Sequence, residues 1–380
     1  MNKREISEIK KQFKKDNNAI TRICGCYVDA EKQIKTSLKE AFFALSEEEI
    51  FKYYEIFRKA LSGGIGKNLH NLEYSIHDEE EGSAHSLLMK LREDKLTDDE
   101  TVDSFYNKVI ETYDYGENYY IILIHSAYDV PGKAADHEEM FDASEEVYNH
   151  ILCCICPVKL SEPGLSYNET TNLIEERLRD WWVQPPMTGF LFPAFNDRST
   201  DIHSILYFSK NPEELHYEFI DVCLGAPSPV SWSAQKEAFQ EILSDTLGEQ
   251  CDYQIVRQIH ENLTEMSEEH KEDMEPLRLS KPEVKNLLEK SGVEPEQLER
   301  FDTVYEEAAG ESTSILVPAI TGSGKFALKT PDVDIKVNPD RLDLVETRFL
   351  EGRRFLVIAV EDNVEVNGMP VKMWEEEKNL

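Results

Sequence analysis

Positive charge is what this chain most lacks. Its 41 lysines and arginines stand against 75 aspartates and glutamates, a formal net charge of −34. A field of that sign repels phosphate backbones and anionic lipid unless a local basic patch overrides it, so nucleic acid is a disfavoured partner and no membrane association is expected. No apolar run reaches the roughly 18 residues that a membrane-spanning helix needs. The first residues also lack the apolar core of a secretory signal, so a cytoplasmic location is expected. Nor is there a disulfide framework. Seven cysteines, an odd number, read as reduced thiols in that compartment, where the sequons at Asn168 and Asn262 carry no meaning.

At 380 residues the chain exceeds the size at which a single core stops growing, about 250–300 residues, so at least two domains are expected. An apolar fraction of 40% suffices for globular folding, and 31% charged residues describes a well-solvated surface. The one basic cluster is Lys3, Arg4, Lys10, Lys11, Lys14 and Lys15, interleaved with Ile6, Ile9 and Phe13 at helical spacing. It predicts a short amphipathic helix docked on the acidic body, with a nucleic-acid arm as the alternative.

Apolar, β-rich runs occur over 20–28, 34–45, 119–128, 148–160, 189–195 and 202–209. Helical patterns separate them: Ser46 to Glu49 forms a capping box ahead of Ile50, Tyr54 and Phe57, and Thr97 to Glu100 another ahead of Val102, Phe105 and Val109. Strands and helices without a strict βαβ rhythm predict an α+β fold with a mixed, largely antiparallel sheet over residues 1–210. Residues 211–310 read as a helical segment, with helices over 212–223, 233–246, 253–269, 282–290 and 295–309. The last pair resembles a helix-turn-helix, but its second helix carries Glu294, Glu296, Glu299, Glu306 and Glu307, the wrong sign to face phosphates. From 311 the apolar period becomes two, and Asn367-Gly368 has the residues a type I′ hairpin demands. Residues 311–380 are expected to form a small all-β unit with a frayed tail from Glu375.

The cysteines invite a metal reading, with Cys24 and Cys26 in one predicted strand and Cys153, Cys154 and Cys156 in another. Residues two apart on a strand lie almost 7 Å from each other, whereas thiolates on one zinc must sit within about 4 Å. No metal is favoured, and buried reduced thiols are expected. A four-thiolate site from Cys24, Cys26, Cys154 and Cys156 stays conceivable if the two strands pair and bulge. A nucleophilic thiol at Cys26 or Cys156 would need a base such as His125 or His150.

The richest constellation runs from Asn196 to His203. Asp197, Arg198, Asp201 and His203 put two carboxylates, a guanidinium and an imidazole in one polar loop between strands, enough to hold a divalent cation or an anionic ligand with acid/base support. Ordinary turn chemistry is the competing account, since Asn, Asp, Ser and Thr are the usual vocabulary of turns. Asp201 and His203 would project to the same side if the second strand begins at Asp201. Asn196, Asp197, Arg198 and His125 are the candidate ligand-binding residues; Asp197, Asp201 and His203 are the candidate catalytic ones.

Two glycine-rich segments fail as phosphate loops. In Thr321 to Phe326 the P-loop positions fall on Ala319 and Phe326, and 62–67 follows a helix instead of opening one, which suits a C-cap. His125 lies in an apolar run and reads as a buried, hydrogen-bonded histidine. Trp181 and Trp182 follow the amphipathic stretch Leu173, Ile174 and Leu178, and a helix end packed on the sheet accounts for them, a groove lining being the alternative.

Three segments carry a resemblance: Thr21 to Asp29, Cys156 to Leu160 with Gly164 to Tyr167, and Gly189 to His203. Through them the chain resembles, from end to end, an uncharacterised family of intracellular proteins of anaerobic Firmicutes, which brings no assigned activity. Two functions are therefore expected. The first is a cytosolic binding or regulatory module for a small ligand or a basic protein or peptide; no cofactor is predicted for it. The other is a metal-assisted or acid/base hydrolase working through the Asn196–His203 loop.

Overall fold

The computed structural model describes residues 1–15, 19–133, 139–248, 251–310, 313–321, 326–350, 352–360, 364–366 and 369–371. Contacts divide the chain into two compact units, 1–234 and 235–380. The fold is α+β.

In the first unit the strands are β1 (Ile20–Val28), β2 (Ile34–Ala41), β3 (Leu69–Glu73), β4 (Tyr119–Lys133), β5 (Glu139–Leu160), β6 (Leu165–Asn168), β7 (Leu173–Glu176), β8 (Trp181–Val183), β9 (Thr188–Phe192), β10 (Ala194–Asn196), β11 (Ser199–Asp201) and β12 (Ser204–Ser209). The main sheet has the order β2-β1-β4-β5-β9-β12-β3, with β8 added to the end of β5. Every pairing in it is antiparallel.

Helices cover both faces. On one lie α3 (Ala84–Glu93), α4 (Asp99–Thr112) and the turn Phe219–Leu224, packing Leu88, Phe105, Val109, Phe219 and Cys223 against Cys24, Leu123, Cys153 and Phe190. On the other lie α1 (Lys3–Lys10) and α2 (Glu47–Ala60), packing Ile6, Ile9, Tyr54 and Phe57 against Ile23, Ile124, Cys154 and Leu191. Alternate residues of each strand thus enter different cores. A sheet covered on both sides gives near-continuous apolar strands, which is the pattern of Ile151 to Cys156.

The basic amphipathic helix forms as α1, opened by a capping box in which Asn2 and Glu5 exchange hydrogen bonds at 2.7 and 3.1 Å. Phe13, just beyond it, meets Phe57 at 5.5 Å between centroids. The capping box of α2 is formed by Ser46 and Glu49, while α4 starts one residue later than expected, capped by Asp98. Residues 211–234 join the first unit, not a separate helical segment, because Leu215, Phe219, Ile220 and Leu224 complete one of its cores.

The second unit packs α5 (Trp232–Leu247), whose first turn belongs to the first unit, with α6 (Tyr253–Glu269), α7 (Lys281–Lys290), α8 (Phe301–Ala309) and α9 (Val317–Thr321). Ile315, Val317 and Ile320 fill the same core as Phe239, Ile259 and Leu288. The helical core therefore continues past Gly310, and strand pairs follow it within the same compact unit. These are hairpins: β15 (Phe326–Lys329) with β16 (Asp334–Val337), β17 (Val345–Leu350) with β18 (Arg353–Ile358), and β19 (Val364–Val366) with β20 (Met369–Val371). A short pair, β13 (Arg278–Leu279) with β14 (Ile315–Leu316), ties the helices together. Asn367-Gly368, the residues 322–325 and the tail from Glu375 lie outside the described residues.

Two glycines test how tightly the sheet is built. A side chain at Gly189 would strike the backbone carbonyl of Cys153, whereas one at Gly25 would strike the hydroxyl end of Tyr120. A backbone cannot swing aside and a tyrosine can. Gly189→Ala is expected to cost about 2 kcal/mol or more and Gly25→Ala less, measured by urea unfolding; an inverted order would contradict this register.

Candidate functional site

The Asn196–His203 stretch is a hairpin. β10 and β11 pair with Asn196 opposite Ser199, leaving Asp197 and Arg198 as a two-residue turn with φ of 52° and 58°, the geometry of a type I′ turn. Its side chains are committed to the fold. Arg198 donates from Nε and Nη2 to both carboxylate oxygens of Glu8 at 3.1 and 2.9 Å, and from Nη2 to the Pro131 carbonyl at 3.2 Å. Glu146 accepts from the Ser199 hydroxyl at 2.8 Å, from the Thr200 amide at 2.9 Å and from the Thr200 hydroxyl. These bonds, that from Thr200 foremost, hold its carboxyl below the usual range. The N-terminal amine donates to Asn196 Oδ1, and Asn196 Nδ2 donates to Asp201 at 2.5 Å.

Asp201 and His203 do not stand side by side on a strand. The next strand starts at Ser204, and Asp201 Oδ1 accepts from the backbone N–H of His203 at 3.0 Å. The imidazole turns instead to Glu79, with Nδ1 2.6 Å from Oε1, and that contact raises its pKa. Desolvation pushes Asp201 up, but hydrogen bonds from Asn196, Ser204 and the His203 amide prevail and hold it low. Asp197 is exposed at the turn tip. The candidate residues are together in sequence and mostly spent on partners from elsewhere in the chain.

His125 is apart from this hairpin. It is fully buried in β4, with Nδ1 2.8 Å from the Thr21 hydroxyl and Nε2 without a hydrogen-bond partner. His150 in β5 is buried too, stacked on Tyr148 at 4.4 Å, its Nε2 likewise unpartnered. Burial lowers His125 to about 4 and His150 to about 3. Both rings are neutral at pH 7.

The buried cysteines divide between the two cores. Cys24, Cys26 and Cys153 enter the core under α3 and α4, while Cys154 and Cys156 enter the opposite core, and β4 lies between β1 and β5. Two strand spacings, about 10 Å, plus the thickness of the sheet separate the two pairs. Cys24, Cys26, Cys154 and Cys156 cannot share one ion. Nor do the thiol–imidazole pairs meet: Cys26 is opposite Ile121, four residues or roughly 13 Å from His125, and Cys156 is six residues or roughly 20 Å along β5 from His150. Burial raises these thiols, Cys26 to about 12. Among the described residues no group of three or more His, Cys, Asp or Glu side chains could hold a metal ion.

What the sheet leaves uncovered is the excursion after β5. The β6–β7 ribbon pairs Leu165 with Glu176 and Tyr167 with Ile174, so Leu165, Tyr167 and Ile174 share one face, and they are 77%, 56% and 64% exposed. Leu173 and Leu178 are exposed as well. The expected helix over Leu173, Ile174 and Leu178 is absent; Leu173 and Ile174 lie in β7 and Leu178 in the irregular link to β8, whose Trp181 and Trp182 are more than half exposed. The tryptophans therefore end no helix. The sequence signal was available: Leu165-x-Tyr167 and Ile174-x-Glu176 flank the polar turn run Asn168 to Asn172 at the spacing of a hairpin. The base of the arm is pinned by Ser161, whose amide donates to the Asp180 carbonyl at 2.9 Å and whose hydroxyl accepts from the Asp180 amide at 3.1 Å. Trp181, Val158 and Leu160 line a cavity of about 410 Å³ with Asn118 and Ala30.

Two expectations follow from this burial. Six of the seven free thiols are buried and Cys251 is exposed, so a thiol reagent should label one site quickly in the native protein and the rest only on unfolding. Fast labelling of a second site would contradict the packing. For the histidines, the unfolded chain takes up protons below about pH 6.5 that the folded rings refuse, so stability present above that pH is lost as pH falls toward 4 and then 3. His150→Phe keeps the stack on Tyr148 and removes one such proton. Urea unfolding at pH 7 and 4.5 should show the variant losing about 2–3 kcal/mol less than the parent, and equal losses would refute neutral burial.

A family model described as "Domain of unknown function (DUF4317)" matches residues 1–369. No curated protein and no solved structure matches the chain. With nearly the whole length covered, the two-sided sheet, its hairpin and its arm are those of a member of the DUF4317 family, to which this chain belongs.

Proposed function

We propose that the protein is a binding module whose β6–β8 arm captures a cationic, alternately apolar segment of a partner protein. The observation that carries this is a two-stranded ribbon whose Leu165, Tyr167 and Ile174 face is exposed. Such ribbons are marginal in water on their own, and apolar side chains gathered on one exposed surface mark an interaction site. Among the described residues, β6 and β7 pair only with each other, so each outer edge is open to an added strand.

Charge selects the partner. Between residues 162 and 180 the arm carries Glu162, Glu169, Glu175, Glu176 and Asp180 against Arg177 and Arg179. A second copy would set these acids against themselves, whereas a lysine-bearing strand would meet them favourably. Burying an aliphatic side chain contributes about 1.5–3 kcal/mol against an association cost of about 4–15 kcal/mol, so three or four anchors must act together, which the ribbon face and the β8 tryptophans supply. The hydrogen bonds that occupy Asn196, Arg198, Ser199, Thr200 and Asp201 favour binding over acid/base chemistry at that hairpin.

The test uses a labelled ten-residue peptide of alternating lysine and valine, and its glutamate–valine counterpart, in fluorescence anisotropy. The lysine peptide should bind, more weakly as salt rises, and a Leu165→Ser/Ile174→Ser variant should lose that binding with little change in thermal midpoint, since both sites are exposed. Equal binding of both peptides, or undiminished binding by the variant, would sink the proposal. A concentration-dependent dimer abolished by the same variant would assign the arm to self-association instead.

A further inference from the structure

The second unit holds a cavity of about 530 Å³ between α5, α6, α9 and β15. That size lies within the range of about 300–1,000 Å³ typical of small-molecule sites. Phe239, Ile320 and Phe326, all buried in the unit, form its apolar wall. His260 also lines it, edge-on to Phe326 with centroids 5.1 Å apart, and among the described residues its ring nitrogens have no hydrogen-bond partner. Burial, and then the charge of Lys236, lower its pKa, so the ring is neutral at pH 7.

Among the described residues that line this cavity, Lys236 is the only cation. In a chain with 75 acids, no described acid pairs with it. The other charge on the wall, Asp252, is engaged as the N-cap of α6, accepting from the Ile255 amide at 2.8 Å. An apolar pocket offering one ammonium and one neutral imidazole suits a single negative charge on an apolar body. Polyphosphates would need more cations, and a cationic ligand would meet Lys236.

We infer that this cavity binds a small organic monocarboxylate with an aromatic or short aliphatic body, its carboxylate on Lys236 and His260 and its body against Phe239, Ile320 and Phe326. The site belongs to the second unit and does not depend on the reading of the arm.

Cys251, exposed and lining the same cavity, supplies a local reporter. Its alkylation by iodoacetamide in the full chain, followed by mass spectrometry, should slow saturably with 4-phenylbutyrate. The matching alcohol, 4-phenylbutanol, should need about tenfold more for the same protection, because it lacks the charge-assisted bond. Lys236→Met should erase the difference and Lys236→Arg should keep it; Lys236 is exposed, so neither change threatens folding. No protection by either compound, equal protection by acid and alcohol, or undiminished preference in Lys236→Met would each overturn the assignment. The comparison of acid with alcohol in the parent protein stands without any variant.

Discussion

Because β5 runs through the middle of an antiparallel sheet with helices on both sides, every residue from His150 to Val158 must be accommodated without water. Odd and even positions feed two different cores, so neither parity can be polar without a partner. This explains why cysteine recurs there. A thiol fills space like a small hydrophobe and carries little hydrogen-bonding obligation, so Cys153, Cys154 and Cys156 can face either core at small cost. The same confinement forces His125 and His150 to be neutral and leaves a nitrogen of each unsatisfied. Metal and nucleophile chemistry at these thiols would require an anion, the one form that burial opposes.

Polar groups near this sheet are tolerated where they close a network. Arg198 and Glu8 are each about one-fifth exposed, and removing one would leave the other charge partly desolvated. The hairpin turn holds two non-glycine residues in the left-handed region, a conformation that costs on the order of 1 kcal/mol or more per residue. The bonds of Arg198 to Glu8 and Pro131, and those of Ser199 and Thr200 to Glu146, offset that cost. They also bind α1 to the sheet margin. A cluster that resembles a reactive corner in one dimension is a clamp in three.

How much was legible follows from where each signal resides. β1, β4 and β5 announce themselves because two-sided burial writes continuous apolar runs, and α2 because a capping box is local. α3 carries a local signal, Ser83 as its cap and Ala84, Leu87, Leu88 and Leu91 at helical spacing, although it is missing from the expected elements; it brings His85 to Phe192 at 5.4 Å. The edge strand β3 is hidden because it is only five residues with His70 and Asn71 at its centre. The Asn196–His203 cluster was visible as composition, but the fate of its side chains depends on Glu8, Glu79 and Glu146, residues remote in sequence and reached only through the strand order. At the arm, the amphipathic spacing of Leu173, Ile174 and Leu178 fits a helix as readily as a ribbon, and the pairing of Tyr167 with Ile174 decides between them. The second-unit cavity had no sequence signature, since Lys236, His260 and Phe326 come from three elements.

A bare ribbon with open edges invites pairing with any exposed strand, its own copies included. The acids along 162–180 answer that hazard by making like-with-like approach repulsive, and the overall charge of −34 extends the protection to the whole surface. Such a defence is selective. It raises the cost of acidic strands and lowers that of basic ones, so on the proposed reading the acids that oppose self-pairing would also select what covers Leu165, Tyr167 and Ile174. Lys236, an exposed lysine that no described acid pairs with, sets a single positive charge beside the apolar wall of Phe239, Ile320 and Phe326. In both places charge and apolar carbon stand together at the margin of a settled interior, which is where the two proposed sites fall.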